Sequence, residues 1–248
     1  MQMQIVMSAA SLPEAGLSAV LDAAQTAGYN AVQLFRHRTE ASLAHPQSSI
    51  RQIRESLTAA HIELASCEIR PLTGRKADTD ERNLPYNLRQ LEWDIHLCRA
   101  LNARTLGLRG GDDTEEARQD LVEGINQLAE RIDDVTLAVG TQAGSCLATA
   151  ADIDALAPSF ANDVGLMLDT AELLACGQDP VAIADSWGAR LRLIYLHDVR
   201  AGESVGLGEG ELDLTGLLKV LSKIDYSGPV VVETPADKIA AARQRLQS

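Results

Sequence analysis

A chain of 248 residues, 46% of them hydrophobic, can bury one full core, and single α/β barrels run to about 250 residues. A formal net charge of −13, with basic residues dispersed rather than interleaved with aromatics, argues against nucleic acid or an anionic membrane as partner. Four scattered cysteines (Cys67, Cys98, Cys146, Cys176), no leader pattern and no run of about 18 apolar residues fit a cytoplasmic protein with reduced thiols and no membrane span.

Short apolar runs of β type alternate with segments of helical period. Gln4–Ser8 reads as the first strand, and Ser11-Leu-Pro-Glu14 as the start of a helix that closes at Gly28. Ala31–Phe35 is the second strand and runs into Arg36, His37 and Arg38. Residues 47–60 are helical, and Ile62–Ile69 is a third strand that carries Glu68 and leads to Arg70. The long polar stretch 71–83 (PLTGRKADTDERN) is a candidate lid.

Leu84–Leu101 is a long helix, and Thr105–Leu108 a fourth strand ending at Arg109. Thr114–Ile132 is helical. Val135–Gly140 is the fifth strand, followed by a loop of small residues that begins Thr141-Gln142. A short helix, Ala150–Leu156, precedes the sixth strand, Val164–Asp169, and Glu172–Trp187 supplies the next helix. Leu191–Asp198 (LRLIYLHD) is the seventh strand. A glycine-rich turn with Glu209, Glu211 and Asp213 leads into the helix Leu214–Ile224. Val230–Glu233 is the eighth strand, and Ala236–Leu246 a closing helix.

An open doubly wound sheet would alternate similarly. Eight units in this length favour closure, and no GxGxxG or Walker-type loop follows the first strand. The chain is therefore read as one domain, residues 1–248, folded as a (β/α)8 barrel. Chemistry in such barrels lies at the carboxyl ends of the strands. There the sequence places Arg36, His37, Glu68, Arg70, Arg109, Thr141, Gln142, Asp169, Glu172, Tyr195, His197, Asp198 and Glu233. Alternation puts Tyr195 and His197 on one face of their strand. Asp169 and Glu233 each end an apolar strand, so burying them requires a cation, hydrogen bonds or a shared proton. Arg36, Arg70 and Arg109 can supply that charge, or grip anionic and hydroxyl groups of a substrate.

Plainer roles compete. Asp169 heads DTAE, a capping-box pattern with Glu172. His197 and Asp198 can simply bind loop backbone, and Glu209, Glu211 and Asp213 read as loop acids. Cys67 reads as a small core residue. Trp93 and Trp187 are expected to pack.

At this point the whole chain resembles the xylose isomerase-like superfamily of sugar isomerases and epimerases, which includes apurinic-endonuclease-type barrels. GYNAVQLF, VGLMLDTAELLACGQDP, LRLIYLHDV and GLGEGELDLTGLLKVLSKIDYSGPVVVE carry the likeness, the last most specifically. The resemblance implies one divalent metal (Mn²⁺, Mg²⁺, Zn²⁺ or Co²⁺) among four side chains at the ends of strands five to eight. Asp169 and Glu233 match two of them, whereas Gly140 and Tyr195 stand where a glutamate and a histidine are usual. The histidine often found three residues after the sixth-strand aspartate is Glu172 here. His197 can offer itself as a third ligand beside Asp169 and Glu233, one inward position further along the strand.

The resemblance implies proton transfer next to a carbonyl of a small polyhydroxylated, carbohydrate-like substrate such as a sugar or sugar phosphate. The reaction would be an isomerisation, an epimerisation or a related lyase step. Asp169, His197 and Glu233 would act at the reacting centre. Arg36, His37, Glu68, Arg70, Arg109, Gln142, Glu172 and Tyr195 would bind substrate. The alternative is a non-catalytic binding or complex-forming barrel that has lost the metal site, which Gly140, Tyr195 and Glu172 favour. A DNA-repair endonuclease fits worst, with five histidines in all and a strongly negative charge. Homo-oligomers are common among such barrels and are compatible with this chain.

Overall fold

A computed structural model describes residues 3–44, 49–73, 84–132 and 134–247. Eight parallel strands close into a barrel: β1 (Gln4–Ser8), β2 (Ala31–Phe35), β3 (Glu63–Glu68), β4 (Thr105–Arg109), β5 (Thr136–Gly140), β6 (Gly165–Asp169), β7 (Leu191–His197) and β10 (Pro229–Glu233). β10 pairs with both β7 and β1, so the last strand closes the ring. This is the (β/α)8 barrel expected from the sequence. The apolar strands are buried on both faces, as parallel strands covered by helices must be.

The helices follow local chemistry. Ser49 caps α2 (Ile50–Ala59) in a reciprocal box with Gln52, and Thr149 does the same with Asp152 for α5 (Ala150–Leu156). α3 (Leu84–Ala100) buries Leu88, Leu91, Ile95 and Cys98 at helical spacing, and it buries Asp94 with them. α4 (Glu115–Ala129) is capped by Thr114 and packs beside α3. Asp213 caps α8 (Leu214–Lys223).

Several boundaries differ from the sequence reading. Proline and glutamate after Ser11 do not open the first helix: Ala9–Ser11 is a 3-10 turn, and α1 (Leu17–Thr26) begins only after Gly16. The segment 172–187 is two helices, α6 (Thr170–Ala175) and α7 (Pro180–Trp187). Gly177, at φ +67°, turns the chain between them, and Asp179-Pro180 restarts it with a cap and a proline at the first helical position. Between β7 and the glycine-rich turn lies an unforeseen small antiparallel hairpin, β8 (Val199–Arg200) with β9 (Glu203–Ser204). The closing helix, α9 (Ile239–Arg245), follows a 3-10 turn at Ala236–Lys238.

Trp187 packs as expected and donates to Asp154 at 2.8 Å, but Trp93 is 59% exposed on the outer face of α3. Cys67 is buried, and its thiol is pushed well up by that burial and by Cys98 and Asp94, consistent with a core residue. The candidate lid falls mainly on residues 74–83, and the expected start of the second helix on 47–48; both lie outside the described residues. Among the described residues, no helix is long and apolar enough to cross a membrane.

Candidate active site

The inward side chains become polar toward the carboxyl ends of the strands. Deep in the barrel, Met167 and Leu193 fill the space at Gly107, where an added Cβ would lie 2.8 Å from the Met167 sulfur and 3.2 Å from Leu193 Cδ2. In the buried layer above, Gln33 donates to the Tyr195 hydroxyl at 2.7 Å. The Tyr195 phenol, almost fully enclosed, is pushed well above its ordinary pKa, by burial first and then by Glu68. It therefore stays protonated across the physiological range.

At the mouth, Arg109 organises the β3–β6 side. Its Nε donates to Glu68 at 3.0 Å, one terminal nitrogen donates to Asp169 at 2.8 Å, and the other donates to the carbonyl of Thr141. Its guanidinium carbon lies 5.5 Å from the centroid of the Tyr195 ring. Burial alone would favour the neutral form, but Glu68 and Asp169 hold Arg109 charged. The other oxygen of Asp169 accepts from the backbone N–H of Glu172 at 3.3 Å, so Asp169 is at once helix cap and ion-pair partner. Glu172 does not complete the capping box. It turns to the neighbouring loop and accepts from the Ala143 N–H at 2.9 Å.

Glu233 organises the opposite side. It accepts from Arg38 at 2.9 Å and from Ser8 at 3.3 Å, and its Oε1 lies 3.8 Å from His197 Nδ1. The other ring nitrogen of His197 lies 2.9 Å from the hydroxyl of Ser204 on β9. Burial raises the Glu233 pKa; Arg38 and His197 pull against it, and Asp169 adds to it. A cavity of about 330 Å³ opens here, walled by Arg38, Asp169, Glu172, Tyr195, His197, Glu211 and Glu233 among others.

Glu68, Arg109, Asp169, Tyr195, His197 and Glu233 thus converge. Of these, Asp169, Tyr195, His197 and Glu233 line the cavity, as does Glu172; Glu68 and Arg109 do not, and the other expected residues bond elsewhere. Arg36 and Arg70 reach the buried carboxylate of Asp94, at 2.8 and 2.7 Å, and Arg70 also bonds Gln90 at 2.7 Å. His37 is exposed beside them, its pKa lowered by partial burial and by those two arginines. Gln142 is exposed, and its backbone closes the turn before Leu147. Asp198 serves the loop: it accepts from the N–H groups of Gly208, Gly210 and Leu212 at 2.8, 2.9 and 3.0 Å. Of the loop acids, Glu209 pairs with Lys238, Glu211 accepts from the Ala201 N–H and Asp213 caps α8.

The sequence reading missed Ser8, Arg38, Ser204 and Asp94. Arg38 was visible only as one of three basic residues after β2. Asp94 could have been found, since it is an acid on the apolar stripe of Leu91, Ile95 and Cys98.

The residues do not suit the divalent metal that the likeness implies. Asp169 commits one oxygen to a guanidinium and the other to a helix cap. Tyr195 is a buried protonated phenol, and residue 140 has no side chain. A Cβ there would lie 2.4 Å from the Met167 methyl and 3.1 Å from its Cβ, so methionine already fills that space. Among the described residues, no three His, Cys, Asp or Glu side chains are grouped to hold an ion.

A closed parallel barrel with ionisable side chains gathered at the carboxyl ends of its strands belongs to the class of (β/α)8 proteins. The chain is a member of the xylose isomerase-like TIM barrel family, whose model matches residues 21–248. Inosose dehydratases from Clostridium beijerinckii and Geobacillus kaustophilus are 26% and 27% identical over 149 and 150 residues. Those stretches are 51% and 52% of this chain, and they cover only 50% and 49% of the relatives' own length.

Two solved structures share the fold across nearly the full length. The zinc-bound IOLI protein superposes with a TM-score of 0.81 at 18% identity, covering 99% of this chain and 96% of that one. The probable 3-DHS dehydratase AsbF of Bacillus anthracis superposes with a TM-score of 0.80 at 14% identity, covering 99% of both.

Proposed function

We propose that this barrel is an enzyme that moves a proton on the carbon next to a carbonyl of a small polyhydroxylated compound, without a metal among its working parts. The observation that carries this reading is the Glu233–His197 pair. The two sit opposite one another on adjacent strands, 3.8 Å apart, on the wall of an open cavity. A carboxylate whose pKa is raised by burial is a stronger base than a solvated one.

In this mechanism the Glu233 carboxylate takes the α-proton, and the bonding electrons move onto the carbonyl oxygen. Arg38, the arginine on the cavity wall, meets the developing oxyanion. His197, oriented by Ser204, returns a proton. Delivered to the opposite face of the same carbon, that proton completes an epimerisation; delivered to the former carbonyl carbon, while the neighbouring hydroxyl proton passes to the oxyanion, it completes an isomerisation. Delivered to a hydroxyl on the next carbon, it completes loss of water. The inosose dehydratase relatives support the second outcome; the fold is shared with enzymes of both kinds, among them an L-ribulose 3-epimerase.

Charge narrows the substrate. Asp169, Glu172, Glu211 and Glu233 share the wall with Arg38, so an uncharged polyol ketone is favoured over a phosphate ester. Arg36, Arg70 and Arg109, the cations expected to grip an anion, are spent on Asp94 and on Glu68 and Asp169.

The test is solvent exchange. Ketoses and inososes incubated with the protein in D₂O should gain deuterium next to the carbonyl, followed by proton NMR, and Glu233→Gln should abolish it. Failure across such a panel would leave the second reading, a binding barrel, which the ion pairs of Arg109 with Glu68 and Asp169 favour.

A further inference from the structure

We infer that Arg109 is a resident cation that stands in for a divalent ion, so the carboxylates at this barrel mouth are held by a guanidinium supplied by the chain itself. Three independent features converge. First, Arg109 is 6% exposed and all three guanidinium nitrogens are engaged: with Glu68, with Asp169 and with the carbonyl of Thr141. A buried single charge facing two carboxylates does what an ion at that place would do, fixing the position of both and offsetting their repulsion.

Second, the surroundings are built for a guanidinium. Arg109 lies opposite Gly140 across the β4–β5 pairing, so no side chain at 140 obstructs it. The carbonyl of the next residue, Thr141, accepts from it. The ring of Tyr195, opposite Asp169 across β6–β7, offers the face over which its planar cation lies. A histidine at 195 would present nitrogen ligands to an ion; tyrosine presents a π face and a hydroxyl tied to Gln33. Third, the space that a glutamate at 140 would need is closed by Met167, which packs against both Gly107 and Gly140.

Gly140, Tyr195, Met167 and Arg109 therefore form one coordinated arrangement rather than a site that has merely decayed. Arg109 does not line the cavity. It is a positioning residue, acting on substrate through Asp169. The inference does not depend on the proton-transfer reading, because its readouts are ion binding and thermal stability.

The deciding experiment compares wild type, Arg109→Ala and Arg109→Lys, each stripped with chelator and titrated with Mn²⁺, Zn²⁺, Mg²⁺ and Co²⁺ by calorimetry and thermal unfolding. Wild type should purify without stoichiometric metal, show no saturable heat and keep its Tm in chelator. Arg109→Ala should lose about 10 °C in Tm. It should regain part of that loss with Mn²⁺ or Zn²⁺, because Glu68 and Asp169 then lack a cation. Arg109→Lys should be intermediate in stability and take no ion.

A stoichiometric ion in wild type that disappears in Asp169→Asn would overturn the inference. So would an Arg109→Ala protein that folds yet is not stabilised by any of the four ions. Should Arg109→Ala fail to fold, the wild-type titration and Arg109→Lys decide the matter alone.

Discussion

Glu233 and His197 are opposite partners in the pairing of β10 with β7, and their side chains come within 3.8 Å at the mouth of the barrel. Their approach is set by strand register rather than by a loop. A pair held this way is preorganised, and preorganisation separates a working acid–base pair from two ionisable residues that happen to share a rim.

The first prediction concerns pH. Glu233 has its pKa raised in the folded protein, so between the ordinary carboxylate value and the raised one the folded state binds more protons than the unfolded. Stability must then fall as pH rises through that window. Glu233→Gln carries no such charge. Its Tm should gain on wild type as pH increases from about 4.5, the difference closing again at lower pH. Paired thermal melts across pH 4 to 8, on the order of half-unit steps, check this; parallel curves would show that the buried charge costs nothing.

The same shift sets the rate profile. If Glu233 is the base, kcat/KM for deuterium exchange should rise with pH through the raised value and be lost in Glu233→Gln. His197→Ala should lower exchange about 10²- to 10⁴-fold, and by removing a group that pulls the Glu233 pKa down it should move the stability window of Glu233 to higher pH. Ser204→Ala should cost less than His197→Ala, since it removes only the group that orients the imidazole at 2.9 Å. Equal losses would assign Ser204 a chemical role of its own.

Asp198 gives a prediction about architecture. Its two oxygens gather three backbone N–H groups of the glycine-rich turn, and its burial is complete. Asp198→Ala leaves those donors without their acceptor, at a cost on the order of 3 kcal/mol. It should also loosen the hairpin that carries Ser204, so amide exchange should speed up over residues 199–212 before it does so elsewhere. Urea melts and hydrogen exchange read the two effects separately.

The barrel was legible because short apolar strand runs, most of them ending abruptly in a charge or a glycine, alternate with segments of helical period. Convergence at the mouth was legible too, for Asp169 and Glu233 each end an apolar strand and alternation puts Tyr195 and His197 on one face of theirs. What pairs with what was not. Arg36, Arg70 and Arg109 look alike in the sequence, yet Asp94 on a distant helix claims the first two and leaves the third to the mouth. The split of residues 172–187 was hidden because the apolar periodicity continues across Gly177, which needs only one positive φ to redirect the chain. Trp93 defeats the expectation that a large aromatic on an amphipathic helix is packed, because it lies two positions on from the buried Leu91 and so faces outward.

The last prediction tests the charge of the cavity wall. With Asp169 balanced by Arg109, the wall still sets Glu172, Glu211 and Glu233 against Arg38, so a phosphate group would enter a field of its own sign. An uncharged ketose should therefore bind more tightly than its phosphate ester, and the preference should shrink as salt screens the field over a Debye length of about 10 Å at 0.1 M. Glu211→Gln removes an exposed wall charge that accepts from the Ala201 N–H at 2.8 Å, and so is the least disruptive way to move the balance. That variant should narrow the gap between the two ligands without abolishing exchange on the neutral one. Ligand-observed NMR with matched pairs, such as fructose and fructose 6-phosphate, measures the difference directly. Tighter binding of the ester would show that Arg38 outweighs the wall carboxylates, and would return the phosphorylated sugars to the front of the substrate search.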